Sequence, residues 1–156
     1  MADNVSNTIA SILTQARDEI RANMQTQNIN ASGRTSAALQ VRQVGSRFEL
    51  VKVAGENAPF QTLQYGREGG KVPAGFYYII KQWTRDKGLS FANETERGTF
   101  AYFVARKIAR EGTRRHETPN TQVYSEPIKK ATEEIGKEVR QYILSGISSV
   151  IKANFR

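Results

Sequence analysis

Two different apolar periodicities share this chain, and their order limits what it can fold into. Near the start, Ile9, Ile12, Leu13, Ala16, Ile20 and Met24 recur three and four residues apart, the spacing that lines one face of an α-helix. Near the end, Ile128, Ala131, Ile135, Val139, Tyr142, Ile143, Ile147 and Val150 do the same. Between these stripes the period drops to two. Leu39 and Val41 alternate with Gln40 and Arg42, Gly45-Ser46 marks a reversal, and Phe48 to Val53 resumes the alternation. That pattern predicts a β-hairpin, with Gly45 supplying the positive φ of a tight turn.

Further turn and cap signals complete the outline. Ala54-Gly55-Glu56-Asn57 predicts a second turn, and Phe60 to Tyr65 a third strand with Pro59 at its start, where a missing N–H does least harm. Phe76, Ile79, Ile80 and Trp83 read as one face of a short helix stopped at Gly88. Asn93 followed by Glu96 is a capping box opening a helix that turns Phe100, Phe103, Val104 and Ile108 inward and closes at Gly112. Ser125 is placed to cap the last helix, with Pro127 tolerated in its first turn. The expectation is one α+β domain. It has a helix over 1–30, a three-stranded antiparallel sheet over 36–65, a helical pair over 75–112, a loop over 113–124 and a helix over 125–153, the helices packed on the sheet.

The residues offer little to catalysis. There is no cysteine, hence no disulfide, thiol nucleophile or zinc–thiolate site. His116, the one histidine, stands in the polar stretch between Arg115 and Glu117, so no histidine pair can hold a metal. No Gly-x-Ser-x-Gly elbow is present. Glu133 and Glu134 are neighbours on a predicted helix, about 100° apart, and do not converge as an acid–base pair. Gly70-Lys71 is followed by Val72 rather than Ser or Thr, so the glycine-rich stretch is not a Walker loop. The reading is a protein without catalytic activity, cofactor or metal. No basic-then-apolar leader and no apolar run of about 20 residues stand out, so the chain is expected in the cytosol or in something assembled there, away from membranes.

The formal net charge of +8 is unevenly spread. Residues 1–30 hold two basic and three acidic side chains, 31–120 fifteen and eight, and 121–156 six and four. The excess therefore sits mid-chain. Arg106, Lys107, Arg110, Arg114 and Arg115 form its densest part, around the C-terminus of the Asn93–Gly112 helix. A phosphate-binding or acidic-partner patch is one reading. Cations that complement a helix C-terminus are the other. Tyr77, Tyr78 and Trp83 read as core and rim of a packing face rather than a base-stacking platform.

From Gly66 to Pro73 runs Gly-Arg-Glu-Gly-Gly-Lys-Val-Pro. Ser32-Gly33-Arg34-Thr35 leads from a helix into a strand, and Leu63-Gln64-Tyr65-Gly66-Arg67 opens the glycine loop. Gly69-Gly70-Lys71-Val72-Pro73 precedes a helix bearing Trp83 ahead of Lys87-Gly88. Ala105-Arg106-Lys107-Ile108 and Gly112-Thr113 follow. In this order the chain, over about residues 8 to 153, resembles the minor virion proteins of tailed phages that complete the tail or join it to the head. Two positions depart from that pattern. Tyr124-Ser125-Glu126-Pro127-Ile128 replaces an aromatic-Pro-Phe element, and Glu68 stands where proline is common. The resemblance implies a structural subunit of the neck or tail, in the virion and assembled in the host cytoplasm. It implies a closed ring of this chain, six- or twelve-fold, in contact with portal, tail or other neck proteins, with DNA only passing through the lumen. Subunit contacts are expected at Arg34, Tyr65, Gly66, Arg67, Gly69, Gly70 and Lys71. The competing reading is a basic nucleic-acid-binding module.

Overall fold

The computed structural model describes residues 2–29, 32–53, 60–70, 72–120 and 122–154. The first helix, α1 (Ala2–Thr26), turns Ile12, Ala16, Ile20 and Met24 inward, each under 6% exposed. It ends where Asn28 takes a left-handed φ of 52°. Ile29 N–H then donates to Met24 O and Asn28 N–H to Gln25 O, and Ile29 packs on the cluster containing Met24. This is a helix stop with its usual apolar clasp. A single turn, α2 (Arg34–Ala37), follows Gly33 at φ 78°. The Ser32–Thr35 segment is thus a helix start before the strand rather than a bare turn into it.

The hairpin forms as expected. Strand β1 (Leu39–Val44) pairs antiparallel with β2 (Arg47–Lys52), with Val44 opposite Arg47 and the two-residue turn at Gly45-Ser46, where Gly45 has φ 61°. Leu39 is buried and Leu50 packs on the same core against α1. Among the described residues the sheet has two strands, not three. The expected third strand is instead a helix, α3 (Phe60–Tyr65). Six residues carry too few apolar positions to separate a period of two from one of 3.6. The deciding pair is Leu63 and Gln64, both turned inward, as neighbours on a helix can be and neighbours on a strand cannot. The predicted turn over 54–57 and Pro59 lie outside the described residues.

The next two helices pack on each other. Helix α4 (Phe76–Asp86) and helix α5 (Glu94–Glu111) share a small core of Ile80, Ala101 and Ala105. The cap of α5 is as expected: Asn93 Oδ1 accepts from Glu96 N–H at 2.9 Å, and Glu96 reaches back to Ala92 N–H at 3.2 Å. Of the side chains expected inward, Phe76, Ile80, Val104 and Ile108 reach this core and the others do not. Ile79 and Trp83 are 51% and 38% exposed, and Phe100 and Phe103 are 39% and 62% exposed. Helices approach most closely on small residues, so Ala101 and Ala105 take the contact line and these four side chains lie outside it.

The one-turn helix α6 (Arg114–Glu117) leads to the long helix α7 (Ser125–Asn154). Asn23 donates to Gln122 O, Glu19 pairs with Lys130, and Ile12 and Ala16 pack with Ala131 and Ile135. Contacts that climb one chain as they descend the other make α1 and α7 antiparallel. An apolar cavity lies where both meet the hairpin, lined by Leu13, Ile20, Leu50, Ala131 and Ile135 among others.

Ser125 does not cap α7 as expected. The side chain of Gln64, fully buried, does so from outside. Its Oε1 accepts from Tyr124 N–H at 3.2 Å and Ser125 N–H at 3.0 Å, while its Nε2 donates to Ser125 Oγ at 2.6 Å. Replacing Gln64 by Leu strands these donors and should cost about 2–4 kcal/mol in urea unfolding. A loss below about 0.5 kcal/mol, the range of an ordinary surface change, would show that the capping amide is not needed.

Candidate functional site

The glycine loop is ordered within the chain. Gly66, at φ 70°, closes α3 by donating to Thr62 O. Arg67 N–H donates to Thr113 Oγ1 at 2.8 Å, and Thr113 N–H returns a bond to Arg67 O at 2.8 Å. Gly70 N–H donates to Ala109 O at 2.7 Å, satisfying a carbonyl in the last turn of α5. Two glycines permit this approach. A Cβ on Gly69 would stand 2.6 Å from Arg110 O, and one on Gly112, itself at φ 79°, would stand 2.5 Å from Arg67 O. The entropic cost of these glycines is therefore offset inside the chain by a backbone seam between loop and helix, without a neighbour to order them.

Of the seven residues expected at subunit contacts, the six described do not form one patch. Arg67, Gly69 and Gly70 lie along the C-terminus of α5, with the Arg67 guanidinium 5.5 Å from the centre of the Phe76 ring. Tyr65 is 44% exposed and meets Tyr124 edge-on at 6.2 Å. Burial and the Tyr65 contact hold the Tyr124 hydroxyl above its ordinary pKa. Arg34 lies elsewhere: its Nη2 is 3.1 Å from Asp86 Oδ2 at the far end of α4, roughly 15 Å along the helix from Phe76. Lys71 lies outside the described residues.

The basic residues divide in the same way. Arg115 is a strut. Its Nη1 donates to Leu63 O at 2.7 Å and approaches Gln27 Oε1 at 3.5 Å, tying α6 to α3 and α1. Arg106, Lys107 and Arg110 share the outer side of α5 with Phe103. Arg110 and Lys107 both pair with Glu111, and the Arg110 hydrogen bond is the main reason its carboxyl lies below the usual range. Arg114 is exposed on α6. The side chain of His116 lies outside the described residues.

Glu133 and Glu134 are exposed on α7. Among the described residues no three His, Asp or Glu side chains are placed to hold a metal ion, and no helix is long and apolar enough to cross a membrane. What the periodicity reading missed is apolar surface. Tyr78, Tyr102 and Phe103 on the α4–α5 pair are 71%, 50% and 62% exposed, and Ile143, Ile147 and Val150 on α7 are 51%, 51% and 60% exposed. One signal for the second surface was present: from Gln141 to Ile151 the sequence holds no charged residue. Set against known proteins, the chain matches no family model, no curated protein and no solved structure.

The division among the cations is testable by stability alone. Arg115→Ala leaves Leu63 O and its neighbours short of a donor and should cost about 1–3 kcal/mol in urea unfolding. Arg106→Ala, on an open face, should stay within about 0.5 kcal/mol of the parent. Equal effects would contradict the strut.

Proposed function

We propose that this chain is a non-enzymatic structural subunit of a tailed-phage virion, in the neck or at the tail end, where copies form a closed ring with portal or tail proteins as neighbours. The observation that carries the reading is the joint order of Ser32–Thr35, Tyr65–Pro73 and Trp83 along the chain. The surface supports it. Bare apolar faces stand on both α7 and the α4–α5 pair, and an apolar patch of more than a few hundred Å² on a small soluble chain marks a place that another molecule covers. In that setting DNA passes through the lumen without being read, and the mid-chain positive charge is tolerated close to phosphates.

A second reading, a nucleic-acid-binding module, rests on Arg106, Lys107 and Arg110 sharing one side of α5 with Phe103. It is weakened by the pairing of two of these cations with Glu111 and by the use of Arg115 inside the fold. It predicts binding of DNA that falls steeply as salt rises.

Arg67 gives the direct test of the loop. The loop is held through the backbone N–H and C=O of Arg67, while its side chain overlies the Phe76 ring. Arg67→Glu should therefore leave the circular dichroism and melting of the monomer almost unchanged, yet block incorporation into virions. Normal assembly and infectivity of particles carrying the change would remove Arg67 from the subunit contact.

A further inference from the structure

Helices α4 and α5 stand apart from the rest of the fold. They pack on each other, and among the described residues neither packs to a comparable extent on any other helix or strand. The chain enters and leaves this pair at one place. Arg67 N–H donates to Thr113 Oγ1 and Thr113 N–H donates to Arg67 O, both at 2.8 Å, so the two crossings are backbone neighbours. Glycines with left-handed φ stand beside both of them, Gly66 at 70° and Gly112 at 79°. Residues 67–113 are therefore an inserted lobe whose ends meet. The lobe has its own core of Ile80, Ala101 and Ala105, and the remaining body keeps another around Ile20, Met24, Leu39 and Val123.

Both lobe helices run away from that crossing. Arg67 overlies the Phe76 ring at the start of α4, and Gly112 ends α5. At the other end Arg85 pairs with Glu94, the first residue of α5, at 2.8 Å. This tip meets the body through polar groups. Arg34 Nη2 stands 3.1 Å from Asp86 Oδ2, and Lys87 Nζ donates to Asn28 Oδ1 at 2.8 Å and to Asn28 O. Asp86 is the last residue of α4, where the helix C-terminus disfavours a carboxylate. Its partner across the gap, not its own helix, accounts for it. The lobe holds nine basic and five acidic side chains and the body fourteen and ten, so each carries +4. Without the pairs at the tip, the net charges hold the two apart.

We infer that residues 67–113 swing as one lobe about the crossings at Gly66 and Thr113, and that the Arg34–Asp86 and Lys87–Asn28 pairs are the latch that holds the lobe shut. The glycines beside the crossings can absorb a change of φ and ψ while both cores stay packed. A turn of about 20° there carries the far end of α4, about 15 Å away, through about 5 Å. That parts the latch and leaves the α4–α5 contact intact. The Arg34 side chain is 55% exposed and that of Asp86 14%, so the pair is reached by water. Each such pair shifts the balance of shut and open by only about two- to fivefold. The open lobe is thus a minor state of the free chain, and a neighbour that takes Arg34 or Asp86 in exchange selects it. The device goes beyond the ring reading above and does not rest on it.

The chain has no cysteine, so the test places two spin labels on the full-length protein and reads one distance by pulsed electron resonance. Gln25→Cys near the end of α1 and Thr95→Cys at the lobe tip are both exposed positions. The labelled parent should give a main distance and a longer minor one. Asp86→Arg, which sets two cations face to face, should raise the longer population by about fivefold. Adding Arg34→Asp restores an opposite pair and should bring it back to within about twofold of the parent. Glu111→Gln, which breaks the exposed pairs with Lys107 and Arg110 on the outer side of α5, should leave the distances as in the parent. Far-ultraviolet circular dichroism should match the parent in every variant. A single narrow distance in the parent and in Asp86→Arg alike would show one rigid body and overturn the lobe. Equal opening in Asp86→Arg and in the double variant, or in Glu111→Gln, would overturn the latch. Loss of helical signal in Asp86→Arg would show that the pair supports the fold rather than holding a lobe shut.

Discussion

Between the hairpin and the longest helix, the Gln64 amide joins segments that lie far apart in sequence. It is fully buried, and all its polar atoms are used: Oε1 holds two N–H groups at the start of α7, and Nε2 holds the Ser125 hydroxyl. The backbone carbonyl of the same residue accepts from Asn120 N–H, and Asn120 in turn donates to Gln27 at the end of α1. One residue earlier, Leu63 O receives Arg115. The end of α1, α3, α6 and the start of α7 therefore meet at one polar knot, with Val123 fully buried beside it against Ile20, Met24 and Leu39. A buried network of this kind is stabilising only when fully satisfied. Here no buried side-chain nitrogen or oxygen among the described residues lacks a partner. The antiparallel pairing of α1 with α7 depends on where this knot places the first turn of α7.

That dependence shows why some of the fold was legible in the sequence and some was not. Apolar stripes every three to four residues located α1 and α7, and Gly45-Ser46 between alternating segments located the hairpin. Asn93 with Glu96 located the start of α5. Each is a local signal whose energetics are decided within a few residues. Gln64 is the opposite case. Its role depends on Tyr124 and Ser125, sixty residues on, and nothing near it distinguishes a buried capping amide from a strand residue facing solvent. The same holds for the loop. Glycines at 66, 69 and 70 announced an unusual backbone, but only the approach of Gly69 to Arg110 and of Gly112 to Arg67 shows what the backbone is unusual for. Arg115, indistinguishable in sequence from Arg114, belongs to the core scaffold because its guanidinium reaches Leu63 O.

The apolar stripes misled in a particular way. Periodicity reports that a helix has an apolar side, not that its own chain covers that side. For α1 the two coincide. For α5, Val104 and Ile108 of the expected stripe reach the core beside Ala101 and Ala105, while Phe100 and Phe103 of the same stripe are left outside. The outcome is a molecule with two small cores. One lies among α1, the hairpin and α7, and the other between α4 and α5. The links between them include exposed polar pairs, Arg34 with Asp86 and Lys87 with Asn28, along with the backbone seam of the glycine loop. Such links are weak singly. A neighbouring subunit that touched both halves would add to them.

The net charge and the uncharged end of α7 then belong to one problem. A helix whose exposed side is apolar invites indiscriminate association, and a folded chain gains nothing from extending it past the helix it packs on. Two features restrain that association. The +8 charge repels copies at long range, so encounters between them are slow except where apolar faces can meet directly. The balanced acids and bases of Glu126–Arg140 confine the sticky surface to the far end of α7. A contact there is reached only by a partner shaped to lie along it. The excess positive charge stands mid-chain in sequence, outside the uncharged Gln141–Ile151 run, where in the proposed assembly it would act less as a recognition element than as a guard on an apolar contact. In the proposed ring, charge would select where copies meet, and burial would supply the affinity.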